Sequence, residues 1–420
     1  MITVLLTALV TLALTLIALN FITHERKIEK RIPRLYGSDA PQFRRTMGLL
    51  LGPAIVGGNK VRTLNNGDEI FPAMLAAIRG ARLTLTFETY IYWSGAIGRE
   101  FADALEERAR AGVKVHVLID WVGSLKMDDT LLDELERAGV EIERYHPLHW
   151  YHIARMNNRT HRKLLMVDGR VGFTGGVGIA DRWCGNAQDS DHWRDIHYRV
   201  EGPVVAQLQA VFLDNWMKVS GKVLHGDGYF PALEAAGEAS AQMFSSSPSG
   251  GGESMRLMYL LSITAARQAI RLSASYFVPD ALTIRTLVQA RERGVAIQVI
   301  VPGAHIDAET VRRASRAKWG ALLEAGVEIY EYQPTMFHCK VMVVDEVLVS
   351  VGSTNFDTRS FSLNDEANLN VYDAQFAREQ IAVFEHDRAR AHRISVEAWR
   401  HRPWREKLWE HTAALLSSQL

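Results

Sequence analysis

The sequence predicts an α/β protein of two tandem domains, each an α-β-α sandwich, preceded by one N-terminal transmembrane helix. Residues 1–23 are uncharged and mostly apolar. Three pairs of similar segments then recur in the same order, at offsets of 182, 187 and 177 residues. Within each half, apolar β-rich runs alternate with segments of helical spacing, which is typical of βαβ units with helices outside a buried sheet. A chain of 420 residues has room for two such domains.

The first predicted element is the transmembrane helix. As a helix, 23 residues would span roughly 34 Å, enough for a hydrocarbon core of about 30 Å. A cleaved signal peptide, the alternative, needs a basic start and a small-residue cleavage site, and neither is present. The run is followed by Arg26, Lys27, Lys30, Arg31 and Arg34. The run therefore predicts a single-pass anchor, and the positive-inside rule places the following domains in the cytoplasm.

The remaining chain divides at composition changes. Residues 24–60 form a basic juxtamembrane segment, 61–221 the first domain, 222–254 a linker and 255–420 the second domain with C-terminal helices. The linker is rich in Gly, Ser and Pro around SSSPSGGGES. A flexible connection and a strand ending in an active-site loop both fit this composition. The two halves show the same predicted order of helix, strand, helix, strand, at 71–79, 83–93, 98–111 and 113–119, and at 259–268, 270–278, 281–293 and 295–301.

Composition excludes several function classes. Lys plus Arg and Asp plus Glu each number 48, so the formal net charge is zero. Binding to nucleic acid through a positive surplus is therefore not expected. The only cysteines are Cys184 and Cys339, too few for a disulfide framework or a Cys-rich zinc site. We expect no metal and no cofactor.

The third repeat pair carries the candidate chemistry. His161 and Lys163 in the first copy correspond to His338 and Lys340 in the second. In a strand, residues two apart share a face, so each imidazole would lie beside an ammonium group. Five residues after each lysine stands an aspartate, Asp168 or Asp345. That odd spacing reverses the face, so local geometry makes these aspartates structural as readily as catalytic.

The two copies read H-x-K-x(4)-D, followed by Gly175-Gly176 and Gly352-Ser353. This resembles the duplicated signature of the phospholipase D superfamily. The stretches HWRDIHYRVEGPVV and GSTNFDTRSFSLNDEANLNVYD resemble its bacterial cardiolipin synthase branch. The resemblance covers about residue 65 to the mid-380s. It implies two phospholipase D-like domains that form one pseudo-twofold active site.

The resemblance also implies roles for individual residues. One histidine would be the nucleophile and the other the general acid, the lysines would bind phosphate, and a carboxylate about thirty residues downstream would orient each histidine. The residues counted as catalytic are His161, Lys163, Asp168, His338, Lys340 and Asp345; those counted as supporting are Asp195 and Glu366; those counted as substrate-binding are Asn355, Ser353 and Gly176. Gly178 stands where the second copy has Asn355, so the halves are not equivalent. Which histidine attacks stays open, with His161 favoured.

The predicted function is a phosphatidyltransferase that makes cardiolipin through a phosphohistidine. Histidine suits both covalent and acid–base steps near neutral pH. The expected partners are the membrane and phospholipid substrates, namely phosphatidylglycerol, with phosphatidylethanolamine as a further candidate. A phospholipase D that uses water as the acceptor is one alternative. A non-catalytic membrane scaffold is an alternative of another class.

An insertion in the first copy has two interpretations. It carries Leu148, Trp150, Tyr151 and Met156 and has no counterpart in the second copy. Trp and Tyr favour the membrane interface, so contact with lipid near the cleft is one interpretation, and core packing is the other.

Overall fold

One fifteen-stranded sheet runs through both halves of the chain. The computed structural model describes residues 2–20, 28, 30–147, 158–248 and 253–415. The insertion at 148–156 therefore lies outside the described residues.

The first half contains six helices and seven strands among the described residues. In chain order they are α1 (Ile2–Asn20), α2 (Pro41–Leu50), β1 (Val56–Asn65), α3 (Asn66–Arg79), β2 (Thr84–Thr89), α4 (Ala96–Arg110), β3 (Lys114–Asp120), α5 (Asp129–Arg137), β4 (Glu141–Tyr145), β5 (Leu164–Val167), β6 (Val171–Gly175), β7 (Ile196–Glu201) and α6 (Val205–Ser220). A 3₁₀ turn at Asp181–Trp183 lies between β6 and β7.

The second half follows the same plan with additional short elements. They are β8 (Ala239–Ser246), α7 (Ser254–Ala265), β9 (Ala269–Ala274), β10 (Phe277–Val278), α8 (Ala281–Glu292), β11 (Ala296–Pro302), α9 (Glu309–Lys318), α10 (Gly320–Glu324), β12 (Glu328–Tyr332), β13 (Lys340–Val344), β14 (Leu348–Gly352), β15 (Phe356–Asp357), α11 (Thr358–Ser362), β16 (Glu366–Tyr372), α12 (Ala374–Arg388), β17 (Ala391–Arg393), α13 (Val396–Arg400) and α14 (Trp404–Ala414).

The strand order of the sheet shows the duplication. It reads β17-β12-β11-β9-β13-β14-β16-β8-β1-β7-β6-β5-β2-β3-β4. Apart from β17, the two halves mirror each other about the antiparallel β8–β1 pair. Within each half the apolar runs form the parallel strands β2, β3 and β4, or β9, β11 and β12. Parallel strands need crossover helices, and α4 and α5 supply them in the first half.

Helices cover both faces of the sheet, as predicted for α-β-α sandwiches. On one face, α6 and α12 share a core that crosses between the halves, with Phe212, Trp216 and Phe376 buried. On the other face, each half has a separate core: α3, α4 and α5 pack on one, and α7, α8 and α10 on the other. The shared core makes the two halves one structural unit.

The segment predicted as a linker contains a central strand. β8 lies within 222–254 and pairs with β1 on one side and β16 on the other. A purely flexible linker is therefore wrong for this part, which is a strand, and its ending in an active-site loop stays a prediction. The sequence could not show this, because the partners of β8 are distant in the chain.

Described residues 38–47 of the predicted juxtamembrane segment 24–60 pack against the second half. Phe43 and Met47 of α2 are buried in the second-half core. Ser38 Oγ lies 2.5 Å from a carboxylate oxygen of Asp345, and Asp39 pairs with Arg267 at 2.9 Å. These contacts stabilise the second half.

The predicted transmembrane anchor is not supported by the structure. A helix, α1, forms where one was expected. Among the described residues, however, no helix is both long enough and apolar enough to cross a membrane. Residues 21–23 of the predicted anchor lie outside the described part of the chain.

Candidate active site

The two halves exchange backbone hydrogen bonds where the H-x-K segments lie. The His161 amide donates to the Asp365 carbonyl at 2.9 Å, and the Asp365 amide to the Arg159 carbonyl at 2.9 Å. In the pseudo-symmetric crossing, the His338 amide donates to the Arg194 carbonyl at 2.8 Å. Each histidine is thereby fixed beside the segment of the opposite half that carries a carboxylate.

The histidines consequently pair with carboxylates across the halves. His161 Nδ1 lies 3.0 Å from Glu366 Oε1, and His338 Nδ1 lies 2.7 Å from Asp195 Oδ2. The prediction that each histidine uses the carboxylate downstream in its own half is wrong in its pairing, although both carboxylates are in the site. Sequence separation does not reveal whether each histidine pairs with the carboxylate of its own half or with that of the other half.

Both lysines lie buried beside their histidines. Lys163 Nζ donates to the His161 carbonyl at 2.7 Å, and Lys340 Nζ to the His338 carbonyl at 2.8 Å. Lys340 Nζ is also 3.2 Å from both ring nitrogens of His338. Burial lowers the pKa of both lysines, that of Lys163 to about 7. Two lysine amino groups are thus held next to the two imidazoles, as the H-x-K spacing predicted.

The site opens into a cavity of about 880 Å³ lined by both halves. His161, Lys163, His338 and Asn355 line it, whereas Lys340 lies behind His338. The Asn355 Oδ1 atom is buried without a hydrogen-bond partner among the described residues. Buried polar atoms are normally satisfied, so Asn355 is available for a ligand group.

The first half has Gly178 at the position equivalent to Asn355, and its surroundings leave no room for an asparagine side chain. A Cβ atom at Gly178 would stand 2.9 Å from Ile91 Cβ and 3.3 Å from the Trp183 ring. Since Gly178 also lines the cavity, the first-half wall is apolar where the second-half wall carries Asn355.

Ser353 and Gly176 contact the orienting carboxylates, and neither lines the cavity. Ser353 Oγ donates to Glu366 Oε2. A Cβ atom at Gly176 would lie only 2.2 Å from Asp195 Oδ1. Their predicted substrate-binding role is therefore corrected to support of the two carboxylates.

Asp168 and Asp345 lie away from the cavity and cap strand starts. Asp168 accepts the amides of residues 82, 83 and 84 at the start of β2, between 2.7 and 3.2 Å. Asp345 does the same for residues 267–269 before and at the start of β9. Both have positive φ, 52° and 50°, at the turn after the strand. Both aspartates follow the last residue of β5 or β13, at the end away from the lysines, so their contacts do not support grouping them with the catalytic residues.

The two histidine–carboxylate pairs differ in charge. Burial, together with Lys163 and Lys340, holds the pKa of His161 well below its usual value. Burial and Lys340 also lower the pKa of His338, but there Asp195 opposes them. Burial acts to raise the pKa of Asp195, but His338, Lys340 and the Ile196 amide together lower it, whereas burial raises the pKa of Glu366. Neutral imidazole is thus favoured at His161, while an ionised carboxylate supports a proton on His338.

Aromatic side chains pack around both histidines, and the sequence did not predict that they belong to the site. Tyr90 packs edge-on against His161 at 5.2 Å between ring centres. Trp183 and Trp193 lie 5.3 and 5.7 Å from His338, and Trp183 Nε1 donates to Asp195 Oδ2 at 2.9 Å. Aromatic residues in strands and turns are indistinguishable from core residues by pattern alone. Arg359 also lines the cavity. It stands in the GSTNFDTRSF stretch that carries the family resemblance, and that stretch could have pointed to it as a site residue.

Within the described ranges, no cluster of three or more His, Cys, Asp or Glu side chains is placed to bind a metal ion. Cys339 lies between His338 and Lys340 in the chain, but its side chain is buried in the shared core.

Comparison with known proteins gives concordant relatives. Residues 74–216 and 259–388 match the family model of the cardiolipin synthase, PLD-like domain. The chain is 35% identical to cardiolipin synthase 2 of Bacillus anthracis over 364 residues, covering 86% of this chain and 71% of the relative. It is also 35% identical to the cardiolipin synthase of Geobacillus kaustophilus over 365 residues, covering 86% and 72%.

Solved structures share the fold at low sequence identity. The crystal structure of phosphatidylserine synthase from Haemophilus influenzae superposes with a TM-score of 0.71 at 14% identity, covering 91% of this chain and all of that one. Polyphosphate kinase from Porphyromonas gingivalis gives a TM-score of 0.54 at 14% identity, covering 89% and 53%.

The duplicated sheet and its two cross-paired histidines define an enzyme of the phospholipase D type. Both matched segments of the family model contain one H-x-K motif and one orienting carboxylate. The chain belongs to the cardiolipin synthase family of phosphatidyltransferases.

Proposed function

We propose that the chain transfers the phosphatidyl group of one phospholipid to the headgroup hydroxyl of a second, forming cardiolipin through a covalent phosphohistidine. One observation carries the proposal: His161 and His338 line one cavity, and each is held at Nδ1 by a buried carboxylate of the opposite half. With Nδ1 facing a carboxylate, Nε2 is the nitrogen left to react with substrate.

In the first step, His161 Nε2 attacks phosphorus and the headgroup oxygen leaves. The lowered pKa of His161 supports its assignment as the neutral nucleophile. His338 gives its proton to the leaving oxygen, and Asp195 stabilises the protonated ring. The negative charge of a bound phosphodiester would add to that of Asp195 and raise the pKa of His338.

In the second step, the headgroup hydroxyl of the second lipid attacks the phosphohistidine. Its proton passes to His338, the P–N bond to His161 breaks, and both histidines return to their starting states. Lys163, which lines the cavity, supplies positive charge for the phosphoryl oxygens in both steps, and Lys340 adds positive charge from behind His338. We propose phosphatidylglycerol as donor and acceptor, with phosphatidylethanolamine as a second donor to be tested.

We further propose that residues 1–23 hold the enzyme at the bacterial inner membrane, with its catalytic domains in the cytoplasm. The described side chains of α1 between Ile2 and Leu12 are exposed and apolar or hydroxylic. Basic residues follow this run. Fractionation of a chain lacking residues 1–23 tests attachment: release from the membrane supports it, whereas unchanged membrane association would refute it. A C-terminal reporter active only outside the inner membrane would refute the orientation.

Incubation with lipid vesicles tests the reaction. The purified chain is supplied with phosphatidylglycerol, alone and with phosphatidylethanolamine, and products are measured by lipid mass spectrometry. Cardiolipin supports the transferase, and phosphatidic acid as sole product would show a hydrolase. His161→Ala is expected to abolish both products. No turnover of any phospholipid by the unaltered chain would favour the scaffold.

A further inference from the structure

Two cations at the mouth of the cavity are not used by the proposed chemistry. The side chains of Lys126 and Arg182 line the cavity but are exposed, in contrast to the buried Lys163 and Lys340. Among the residues that the structure describes, neither rim cation forms an ion pair. The neighbouring Asp181 is engaged elsewhere, since it accepts the amides of Ala96 and Ile97 at the start of α4.

Indole rings position both cations. Lys126 Nζ lies 4.0 Å from the centre of the Trp93 ring, and Arg182 Cζ lies 6.0 Å from that of Trp193. Both tryptophans line the same cavity. A cation over an indole is held in place without its charge being neutralised, so it remains available to an anion.

Arg182 lies on the His338 side of the cavity. The Trp193 ring under Arg182 is also the ring that packs against His338 at 5.7 Å. Arg359, which stands at the equivalent position of the second repeat, acts on His161 instead and lowers its pKa after burial and nearer cations. The two arginines therefore serve opposite sides of the cavity.

The proposed mechanism places the acceptor lipid on the side of His338. If His161 is the nucleophile, the leaving oxygen departs next to His338, and the incoming hydroxyl takes the same place in the reverse direction. In an acceptor such as phosphatidylglycerol, only a three-carbon glycerol bridge separates the attacking hydroxyl from the lipid's own phosphodiester. That second negative charge must therefore also lie in or at the mouth of this cavity.

We propose that Arg182, assisted by Lys126, binds the phosphodiester of the acceptor lipid and so directs the phosphohistidine to an anionic phospholipid in place of water. This rests on the proposed function and on His161 as nucleophile. In the transfer step, the acceptor oxygen bonds to phosphorus, the P–N bond to His161 breaks, and the hydroxyl proton goes to His338. Arg182 is the phosphate contact, since guanidinium groups bind phosphate oxygens in a bidentate manner.

Acceptors of different charge test the proposal on the full-length enzyme. Vesicles of phosphatidylglycerol in phosphatidylcholine are supplied with labelled glycerol. Glycerol is an uncharged acceptor that regenerates labelled phosphatidylglycerol from the same intermediate. For Arg182→Gln we expect cardiolipin formation to fall by about tenfold, equivalent to about 1.4 kcal/mol. Glycerol exchange should stay at the level of the unaltered enzyme, and phosphatidic acid should rise. Arg182→Lys should retain part of the cardiolipin activity.

Arg170→Gln is the matched control, because Arg170 is exposed at the β5–β6 turn and does not line the cavity. Equal losses of cardiolipin formation and glycerol exchange in Arg182→Gln would overturn the proposal, since Arg182 would then act on the donor. No change in either product would overturn it as well. An unaltered enzyme that exchanges glycerol but makes no cardiolipin would instead refute the proposed function.

Discussion

At the residue scale, the two orienting carboxylates have different supports. Glu366 accepts from the Ser353 hydroxyl, whereas Asp195 accepts from Trp183 Nε1 and packs directly on Gly176. The serine and the glycine occupy equivalent positions of the repeat. The same position of the repeat therefore needs a hydrogen-bond donor side chain in the second half and no side chain in the first half.

Substitution at these equivalent positions should have unequal effects. Gly176→Ala places a methyl group 2.2 Å from Asp195 Oδ1, against a fully buried carboxylate that is held by hydrogen bonds to His338 and Trp183. We expect cardiolipin synthesis to fall at least 100-fold, on the order of the loss of general acid catalysis. Ser353→Ala removes the hydrogen bond to Glu366 and the one that the Ser353 hydroxyl accepts from the Ala367 amide, but it brings no atom against Glu366, and it should cost about tenfold or less. Initial rates measured on phosphatidylglycerol vesicles check both variants, and equal losses would contradict the difference in support.

The pH dependence of the reaction should show which carboxylate is paired with which histidine. His161 must be neutral to attack, and its lowered pKa keeps it neutral as the pH falls through 6.5. The acid limb of kcat/KM is therefore expected below pH 6.5. His338 must be protonated, and Asp195 supports that proton. Asp195→Asn should thus move the basic limb to lower pH, whereas Glu366→Gln should leave that limb in place. A basic limb that follows Glu366 and ignores Asp195 would contradict the cross-pairing.

The site residues that could be predicted from the sequence are those whose geometry is set by neighbouring residues. The H-x-K spacing correctly predicted that His161 and Lys163 lie together, because two residues of one extended segment fix that geometry. It did not predict that Glu366 faces His161, since the contact joins segments 205 residues apart. The family resemblance also grouped Asp168 with the catalytic residues, although its odd spacing from Lys163 indicated the opposite face of the strand.

At the element scale, β7 is tied to α12 by a buried ion pair. Arg194, next to Asp195, donates from Nε and Nη2 to Asp387, with distances between 2.9 and 3.1 Å. Its Nη1 atom donates to the Asp195 carbonyl and to Asn66 Oδ1, at 3.0 and 3.1 Å. The pair therefore connects the second-half helix to the segment that orients His338.

Breaking this pair should destabilise the fold strongly. Asp387→Asn leaves the Arg194 charge buried and uncompensated, which costs about 3–5 kcal/mol in comparable cases. The control is Glu100→Gln, which removes the exposed Arg79–Glu100 pair and should cost about 0–1 kcal/mol. Urea unfolding followed by circular dichroism measures both. A loss for Asp387→Asn no larger than that of the control would show that the buried pair does not hold the two elements together.

The strand β8 illustrates why element prediction failed in the middle of the chain. Its sequence, ASAQMFSS, is weakly apolar and lies beside a Gly- and Ser-rich stretch. The strand is stabilised by pairing with β1 and β16 on both sides. Such pairing leaves no local pattern, whereas the apolar parallel strands β3 and β11 were predicted within a residue or two.

At the scale of the whole molecule, the duplication makes one active site from two incomplete ones. Each half supplies one histidine and the carboxylate for the other half's histidine. The repeat pattern predicted the two halves, and the family resemblance implied a common site. It could not predict that the halves share a single sheet, because the β1–β8 pair joins edges that carry no repeat signal.

Separated halves should therefore be inactive. Fragments of residues 1–236 and 237–420, expressed separately and monomeric in solution, are each expected to form no cardiolipin, since each lacks one member of both histidine–carboxylate pairs. Mixing them should restore activity, and a first fragment with His161→Ala should not. Lipid turnover by either monomeric fragment alone would contradict a site built across the halves.

Mapping the covalent intermediate tests the mechanism most directly. The enzyme is mixed with phosphatidylglycerol, quenched within the first turnover under conditions that preserve phosphohistidine, and digested for peptide mass spectrometry. The mechanism predicts a phosphatidyl adduct on the peptide that contains His161, and none on the peptide that contains His338. An adduct on His338 would reverse the two roles, and cardiolipin formation without any histidine adduct would contradict covalent transfer.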